Sequence, residues 1–276
     1  GDAALYLVVG FQMEQLKAEL NDSSLHYVLQ DQQLGTGHAV MMAAPFLEGV
    51  PEEKVIILAG DCPLIQQGTL EDLIALHDSI SSSGTILSAK MKDPGNYGRI
   101  LRSDSGAVLG IREAKDCTAD QLLIDEINTG VYVFNGDALK EALTKLDTNN
   151  SQQEYYLTDV FQIMKNEETT IAAYCTLDPD QVIGINTRMD LAKINQLVYQ
   201  ATNQKLMADG VTLLDPDSTF IDTAVTIGKD TVISPFTVIK GQSRVGEGCE
   251  VGSFSYLNNV TLKSGSVVAP HTTLVQ

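Results

Sequence analysis

Asp61 is the residue at which chemistry first suggests itself. It follows Lys54-Val55-Ile56-Ile57-Leu58-Ala59-Gly60 and precedes Cys62-Pro63-Leu64-Ile65. Consecutive aliphatic residues closed by Gly-Asp read as a short strand buried on both faces, of the kind that parallel sheets use. That places a carboxylate just past the carboxyl end of a strand, where the loops of an open α/β sheet diverge and ligands bind. Gly60 leaves the backbone open to close approach, and Pro63 ends the strand. A carboxylate so placed can ligate a hard cation such as Mg²⁺ and through it gather phosphate oxygens. It can also cap the helix that follows, and an isolated Gly-Asp reads first as such a cap.

The elements that must position Asp61 alternate in type. Leu5 to Gly10 reads as a core strand and Met13 to Leu20 as a helix; Tyr27 to Leu29 is a strand, Gly35-Thr36-Gly37 a turn and Ala39 to Leu47 a helix. Leu70 to Ile80 follows Asp61 as a helix with Thr69 as its N-cap. Strand and helix in alternation imply right-handed βαβ crossovers and a mixed, mostly parallel sheet in a Rossmann-like α/β domain. Tyr97 to Leu101 and Ala107 to Ile111 read as a hairpin, and Ile127 to Phe134 as a strand interrupted by Gly130. Ile171 to Cys175 is a strand, and Asp190 to Met207 a long helix ending near Gly210.

Beyond that helix the period changes. Aliphatic residues recur every six positions at Ile221, Ile227, Ile233, Ile239, Val245, Val251 and Leu257, and after a one-residue slip at Leu262, Val268 and Leu274. Glycine follows several of them. A six-residue period is the signature of a parallel β-helix whose aliphatic positions point into a triangular prism. The change of period divides the chain into residues 1–214 and 215–276, with the boundary at Asp215-Pro216-Asp217.

A chain of 276 residues can bury a full core. A formal net charge of -18 argues against a nucleic-acid or anionic-membrane partner, while leaving room for small anions met by a metal and a few local cations. Cys62, Cys117, Cys175 and Cys249 form no CxxC pair, so neither a zinc site nor a disulfide framework is indicated. A reducing, cytoplasmic setting is the default. No apolar run approaches the length of a membrane span. The chain opens almost directly on a core strand, which reads as a fragment.

Several ordered motifs then coincide: Gln30-Asp31-Gln32-Gln33-Leu34-Gly35-Thr36-Gly37-His38-Ala39, Gly60-Asp61-Cys62-Pro63-Leu64, Tyr97-Gly98-Arg99-Ile100, Ile111-Arg112-Glu113-Ala114-Lys115-Asp116, Glu126-Ile127-Asn128-Thr129-Gly130, Glu154-Tyr155-Tyr156-Leu157-Thr158-Asp159 and Gly184-Ile185-Asn186-Thr187-Arg188, followed by hexads. In this order they resemble the bacterial bifunctional UDP-N-acetylglucosamine pyrophosphorylase / glucosamine-1-phosphate N-acetyltransferase family over nearly the whole chain. The resemblance implies a nucleotidyltransferase domain followed by a left-handed parallel β-helix of hexapeptide repeats. It implies that Gln30, Gly35 and Thr36 read the uracil ring, that Ala59, Gly60 and Asp61 line the nucleotide, and that Asp61 with Asn186 holds Mg²⁺. Gly98, Glu113 and Asn128, with Glu154 nearby, would hold N-acetylglucosamine 1-phosphate. His38 would be structural. The substrates would be UTP and N-acetylglucosamine 1-phosphate, the product UDP-N-acetylglucosamine for cell-wall precursors, and the assembly a homotrimer through the β-helix.

The sequence departs from the family pattern at two places. The family's opening strand, its Gly-x-Gly-Thr-Arg-Met loop and a downstream lysine are absent from residues 1–276, so this chain is expected to bind UTP poorly. At Leu257-Asn258-Asn259, where the family shows Arg-Pro after the leucine, asparagines stand instead, and acetyl transfer is not expected. Two alternatives remain open from the residues: a non-catalytic sugar-nucleotide-binding or trimeric assembly subunit, and a nucleotidyltransferase for another sugar phosphate.

Overall fold

The computed structural model describes residues 4–47 and 54–276. Contacts divide the chain into two compact units, Gly1–Ile183 and Gly184–Gln276. That division rests on packing, whereas the division at 214/215 rests on period; as a boundary between folding units the latter is a proposal.

The first unit begins β1 (Leu5–Val9), α1 (Met13–Leu20), β2 (Leu25–Leu29), α2 (Thr36–Ala43), β3 (Lys54–Ile57) and α3 (Gln67–Ser79). It continues with β4 (Gly84–Lys90), β5 (Arg99–Arg102), β6 (Val108–Arg112), α4 (Ala119–Leu122), β7 (Glu126–Asn135), α5 (Gly136–Leu143), α6 (Asp159–Asn166) and β8 (Ile171–Thr176). β1 and β2 pair in parallel. The larger sheet runs β6-β5-β7-β4-β8, with β3 also paired to β7. This sheet is mixed, but β7 runs antiparallel to β3, β4 and β5, so its antiparallel pairs outnumber the parallel pair β4-β8. Alternation along β4 and β7 covers both faces. Ile86, Tyr132 and Phe134 pack against α5 and α6, while Leu87, Val131 and Val133 pack with Leu73 of α3.

Two local expectations change. β3 is not buried on both faces: it pairs only with β7 among the described residues, Val55 and Ile57 pack inward, and Ile56 and Leu58 stay 42% and 49% exposed. Thr69 does not cap α3, which starts at Gln67 after the N-cap Gln66. Its hydroxyl instead donates to Gln181 Oε1 at 2.6 Å inside the fold.

The second unit opens with α7 (Arg188–Ala208), whose Thr187 and Asp190 form a capping box. Then come β9 (Thr212–Leu213), β10 (Phe220–Ile221), β11 (Thr226–Ile227), β12 (Val232–Ile233), β13 (Val238–Lys240) and β14 (Arg244–Val245). β15 (Glu250–Val251), β16 (Tyr256–Asn258), β17 (Thr261–Leu262), β18 (Val267–Val268) and β19 (Thr273–Val275) complete it. These strands stack in three parallel sheets, β10-β13-β16-β19, β11-β14-β17 and β9-β12-β15-β18. Ile221 pairs with Ile239 and Ile239 with Leu257, so each coil takes three hexads. The hexad residues Ile221, Ile233, Ile239, Val251 and Leu257 fill one buried core. The glycines after the hexads have a physical cause. A Cβ on Gly228 would stand 2.5 Å from Glu247 N, and one on Gly252 would stand 2.5 Å from Pro270 N, inside the backbone of the next coil. No helix among the described residues is long and apolar enough to cross a membrane.

Ile239 is fully buried in that prism. Ile239→Ala should cost about 2–5 kcal/mol of stability, read as a lowered urea midpoint of the β-helix transition with unchanged slope.

Candidate functional site

One side of the candidate site is built on the turn that starts α2. Gln30 leaves β2 with its N–H donating to Val9 O at 2.8 Å, and its amide nitrogen reaches Gly35 O at 3.1 Å and His38 Nδ1 at 3.0 Å. His38 also stacks on Tyr155, so its ring is engaged in holding the turn. Gly35 has φ 112, and a Cβ there would lie 2.5 Å from Tyr155 O. Only glycine fits that geometry. The turn is bound to a distant segment by three hydrogen bonds: Tyr155 N to Leu34 O, Gly37 N to Tyr155 O, both 2.8 Å, and Leu157 N to Thr36 Oγ1 at 3.1 Å. Glu154 lies against Gly35 through its Cβ.

The same segment reaches Glu113. Thr158 Oγ1 donates to Glu113 Oε1 at 3.0 Å. Burial pushes the Glu113 carboxyl up; the Thr158 hydrogen bond offsets part of this, and the Asp159 and Asp116 charges add to it. Asn128 sits before a bulge in β7, where the pairing to β4 shifts and Gly130 takes φ 78. Its amide donates to Tyr132 OH at 2.9 Å, and its carbonyl accepts from Gly130 N at 3.3 Å. Its backbone N–H donates to Gly98 O at 2.8 Å. Gly98 has no room to spare, since a Cβ would meet Ile111 and Asn128 at 3.3 and 3.4 Å. At the head of β7, burial opposes the charge of Glu126, but Arg102 clamps it with two 2.7 Å bonds and Ser88 donates to it at 2.6 Å, holding the carboxyl below its usual range.

Gly98 and Asn128 thus stand together, Gln30, Gly35, Thr36 and Glu154 form a second group, and residues 154–158 join that group to Glu113. The strand end is tied in through Ala59, whose Cβ stands 3.3 Å from where a Cβ on Gly130 would be. Gly60 has open space above it. Asp61 is exposed, its carboxylate meeting the Cys62 thiol alone among the described residues, at 3.7 Å. Burial and that charge push the thiol up to about 12, so Cys62 stays protonated. Asn186, the second metal ligand that the resemblance implies, belongs to the second unit. There its backbone N–H donates to the capping Asp190 carboxylate at 3.2 Å.

The donor set suits a hard cation. A lone exposed carboxylate fits Mg²⁺, which keeps waters and phosphate oxygens in its shell. No group of three or more His, Cys, Asp or Glu able to hold a metal occurs among the described residues. Sequence reasoning missed three hydroxyls: Thr158 on Glu113, Tyr132 on Asn128, and that of Tyr156, a residue buried in the fold. Tyr156 and Thr158 were legible in Glu154-Tyr155-Tyr156-Leu157-Thr158, a run entering a helix, whereas Tyr132 carried no local signal in its strand.

The family description "Nucleotidyl transferase" matches residues 8–182, and "Bacterial transferase hexapeptide (six repeats)" matches 224–259. The Bifunctional protein GlmU of Syntrophomonas wolfei is 43% identical over 90% of this chain and 55% of its own length. That of Geobacillus sp. (strain WCH70) is 42% identical over 97% of this chain and 58% of its own. The chain therefore spans little more than half the length of these curated relatives. A solved UDP-glucose pyrophosphorylase complexed with UDP-glucose superposes at TM-score 0.47 with 16% identity, over 62% of this chain and 71% of that one, too distant to carry an argument.

Because the folded Glu113 carboxyl titrates above its ordinary 4.5, its stabilising contribution is complete below that value and is lost as pH rises through the folded value. Glu113→Gln should remove this pH dependence and raise the neutral-pH melting temperature by about 2 °C, checked by melts across the carboxylate range. Gly35→Ala should do the reverse, lowering stability by about 1–3 kcal/mol through strained φ and the clash with Tyr155 O.

Proposed function

Because this chain belongs to the nucleotidyl transferase family, we propose that it transfers UMP from UTP to N-acetylglucosamine 1-phosphate, giving UDP-N-acetylglucosamine and pyrophosphate. The observation that carries the reading is the segment 154–158, which holds a Gln30-Gly35-Thr36 corner and a Gly98-Glu113-Asn128 corner in one unit. The first corner offers an amide and turn backbone, the donors and acceptors that a pyrimidine edge needs. The second offers a carboxylate and an amide beside a close-approach glycine, suited to sugar hydroxyls and an acetamido group. Thr158 occupies Glu113 Oε1, and Oε2 would accept from a sugar hydroxyl.

A phosphate oxygen of the sugar phosphate attacks the α-phosphorus of UTP, and the bond from that phosphorus to the bridging oxygen breaks, with pyrophosphate taking the electron pair. The nucleophile is already anionic at neutral pH, so no protein base is needed. The residues bind and align, which for phosphoryl transfer is most of the work. Asp61 would hold Mg²⁺, which when bound neutralises phosphate charge. Cys62, protonated beside it, leaves the carboxylate as the ligand. The hexapeptide coils would assemble three copies in the cytoplasm, which sedimentation would read as three times the chain mass.

The test is release of pyrophosphate from UTP, Mg²⁺ and N-acetylglucosamine 1-phosphate by the complete gene product, because residues 1–276 without the Gly-x-Gly-Thr-Arg-Met loop are expected to bind UTP poorly. Asp61→Ala should lower the rate about 100-fold or more, and chelation of Mg²⁺ should abolish it. Release with glucose 1-phosphate in preference to N-acetylglucosamine 1-phosphate would overturn the sugar assignment.

A further inference from the structure

Arg99, the first residue of β5, has no role in the binding scheme above, yet its side chain is only 2% exposed. Its hydrogen bonds go to main-chain carbonyls. Nη1 donates to Tyr97 O, and Nη2 to Gly95 O at 3.1 Å and, at the limit of a hydrogen bond, to Leu122 O at 3.5 Å. Nε is buried and has no partner among the described residues. Arg102 of the same strand shows the contrast, since it pairs with the Glu126 carboxylate.

A buried guanidinium without a carboxylate is an expensive way to fill space, and an apolar side chain would serve a purely packing role better. What the guanidinium offers is a planar fork whose donors can bind several carbonyls at once in fixed directions. Those carbonyls lie in the short loop before β5. The loop turns at Pro94-Gly95, where Gly95 N donates to Asp93 Oδ1 at 3.2 Å and Tyr97 N donates to Pro94 O at 3.1 Å. Leu122 ends α4, so the same fork ties that helix to the loop.

The loop delivers Gly98. That residue accepts from Asn128 N at 2.8 Å and has the Asn128 Cβ beside it. An error in the path of residues 95–97 would therefore pass directly to Gly98 and Asn128.

We propose that Arg99 is a positioning residue of the sugar-phosphate corner: its fork fixes the 93–97 loop and so sets Gly98 against Asn128. The proposal rests on the sugar-nucleotide reading above and adds a residue that touches no ligand.

The experiment compares the full chain with Arg99→Met and Arg99→Lys by calorimetry against UDP-N-acetylglucosamine and against UMP, and by amide hydrogen exchange. Both variants should bind UDP-N-acetylglucosamine about tenfold more weakly or worse, with UMP affinity unchanged. Exchange should quicken in residues 93–98 and 126–130 and stay unchanged in β8. Equal loss of both ligands would make Arg99 merely structural and overturn the proposal, as would Arg99→Lys behaving as wild type in affinity and exchange. If Arg99→Met does not fold, Arg99→Lys decides. If wild type binds UMP but not UDP-N-acetylglucosamine, the functional reading fails instead. The exchange pattern then decides whether Arg99 fixes the loop, and unchanged exchange there overturns the proposal.

Discussion

The candidate site depends on Gly35 lying against the backbone of Tyr155. The two segments are more than a hundred residues apart in the chain, and bringing them together carries a loop-closure cost that local preference cannot offset. Three hydrogen bonds do so, and one of them satisfies a backbone group that the α2 start leaves unpaired: Gly37 N–H finds Tyr155 O, while the Thr36 hydroxyl accepts from Leu157 N–H. The contact works because position 35 has no side chain. Thr158 then carries the connection on to Glu113.

Charge is handled economically in a chain with a formal net charge of -18. Glu126 is given a full bidentate arginine and sits at the sheet, where it orders the head of β7. Glu113 receives only a hydroxyl, and its neighbours Asp116 and Asp159 add to the cost of ionising it. That contrast separates a structural carboxylate from one left free to bind. Asp61 is a third case, exposed and with the Cys62 thiol as its one contact among the described residues.

The two units obey different rules. In the first, helices cover both faces of a mixed sheet, and Gly130 breaks the β7 ladder where Asn128 must be aimed. In the second, each coil rests on the one before, so a six-residue period and a set of glycines suffice to specify it. The one-residue slip after Leu257 is absorbed without loss of register, because Leu257 still pairs with Leu274.

Much of this was legible in the sequence, because period and turn chemistry are local. The six-residue repeat fixed the β-helix and its inward residues, and Asn-Thr-Gly marked the interrupted strand. Ordered motifs named the site residues through their resemblance to a family. What the sequence could not supply was the set of partners. Val55 to Leu58 read as a strand buried twice over, yet its burial depends on which strands lie beside it, and it pairs with β7 alone among the described residues. Thr69 looked like a cap and became a buried tie to Gln181. Thr158, Tyr132 and Tyr156 passed unnoticed because a hydroxyl acquires meaning only from the group it faces. By itself the sequence determined the elements, the prism and the candidate residues. Tertiary structure alone determined that residues 154–158 join the two corners of the site, since contact between segments so far apart follows from packing and not from any local pattern.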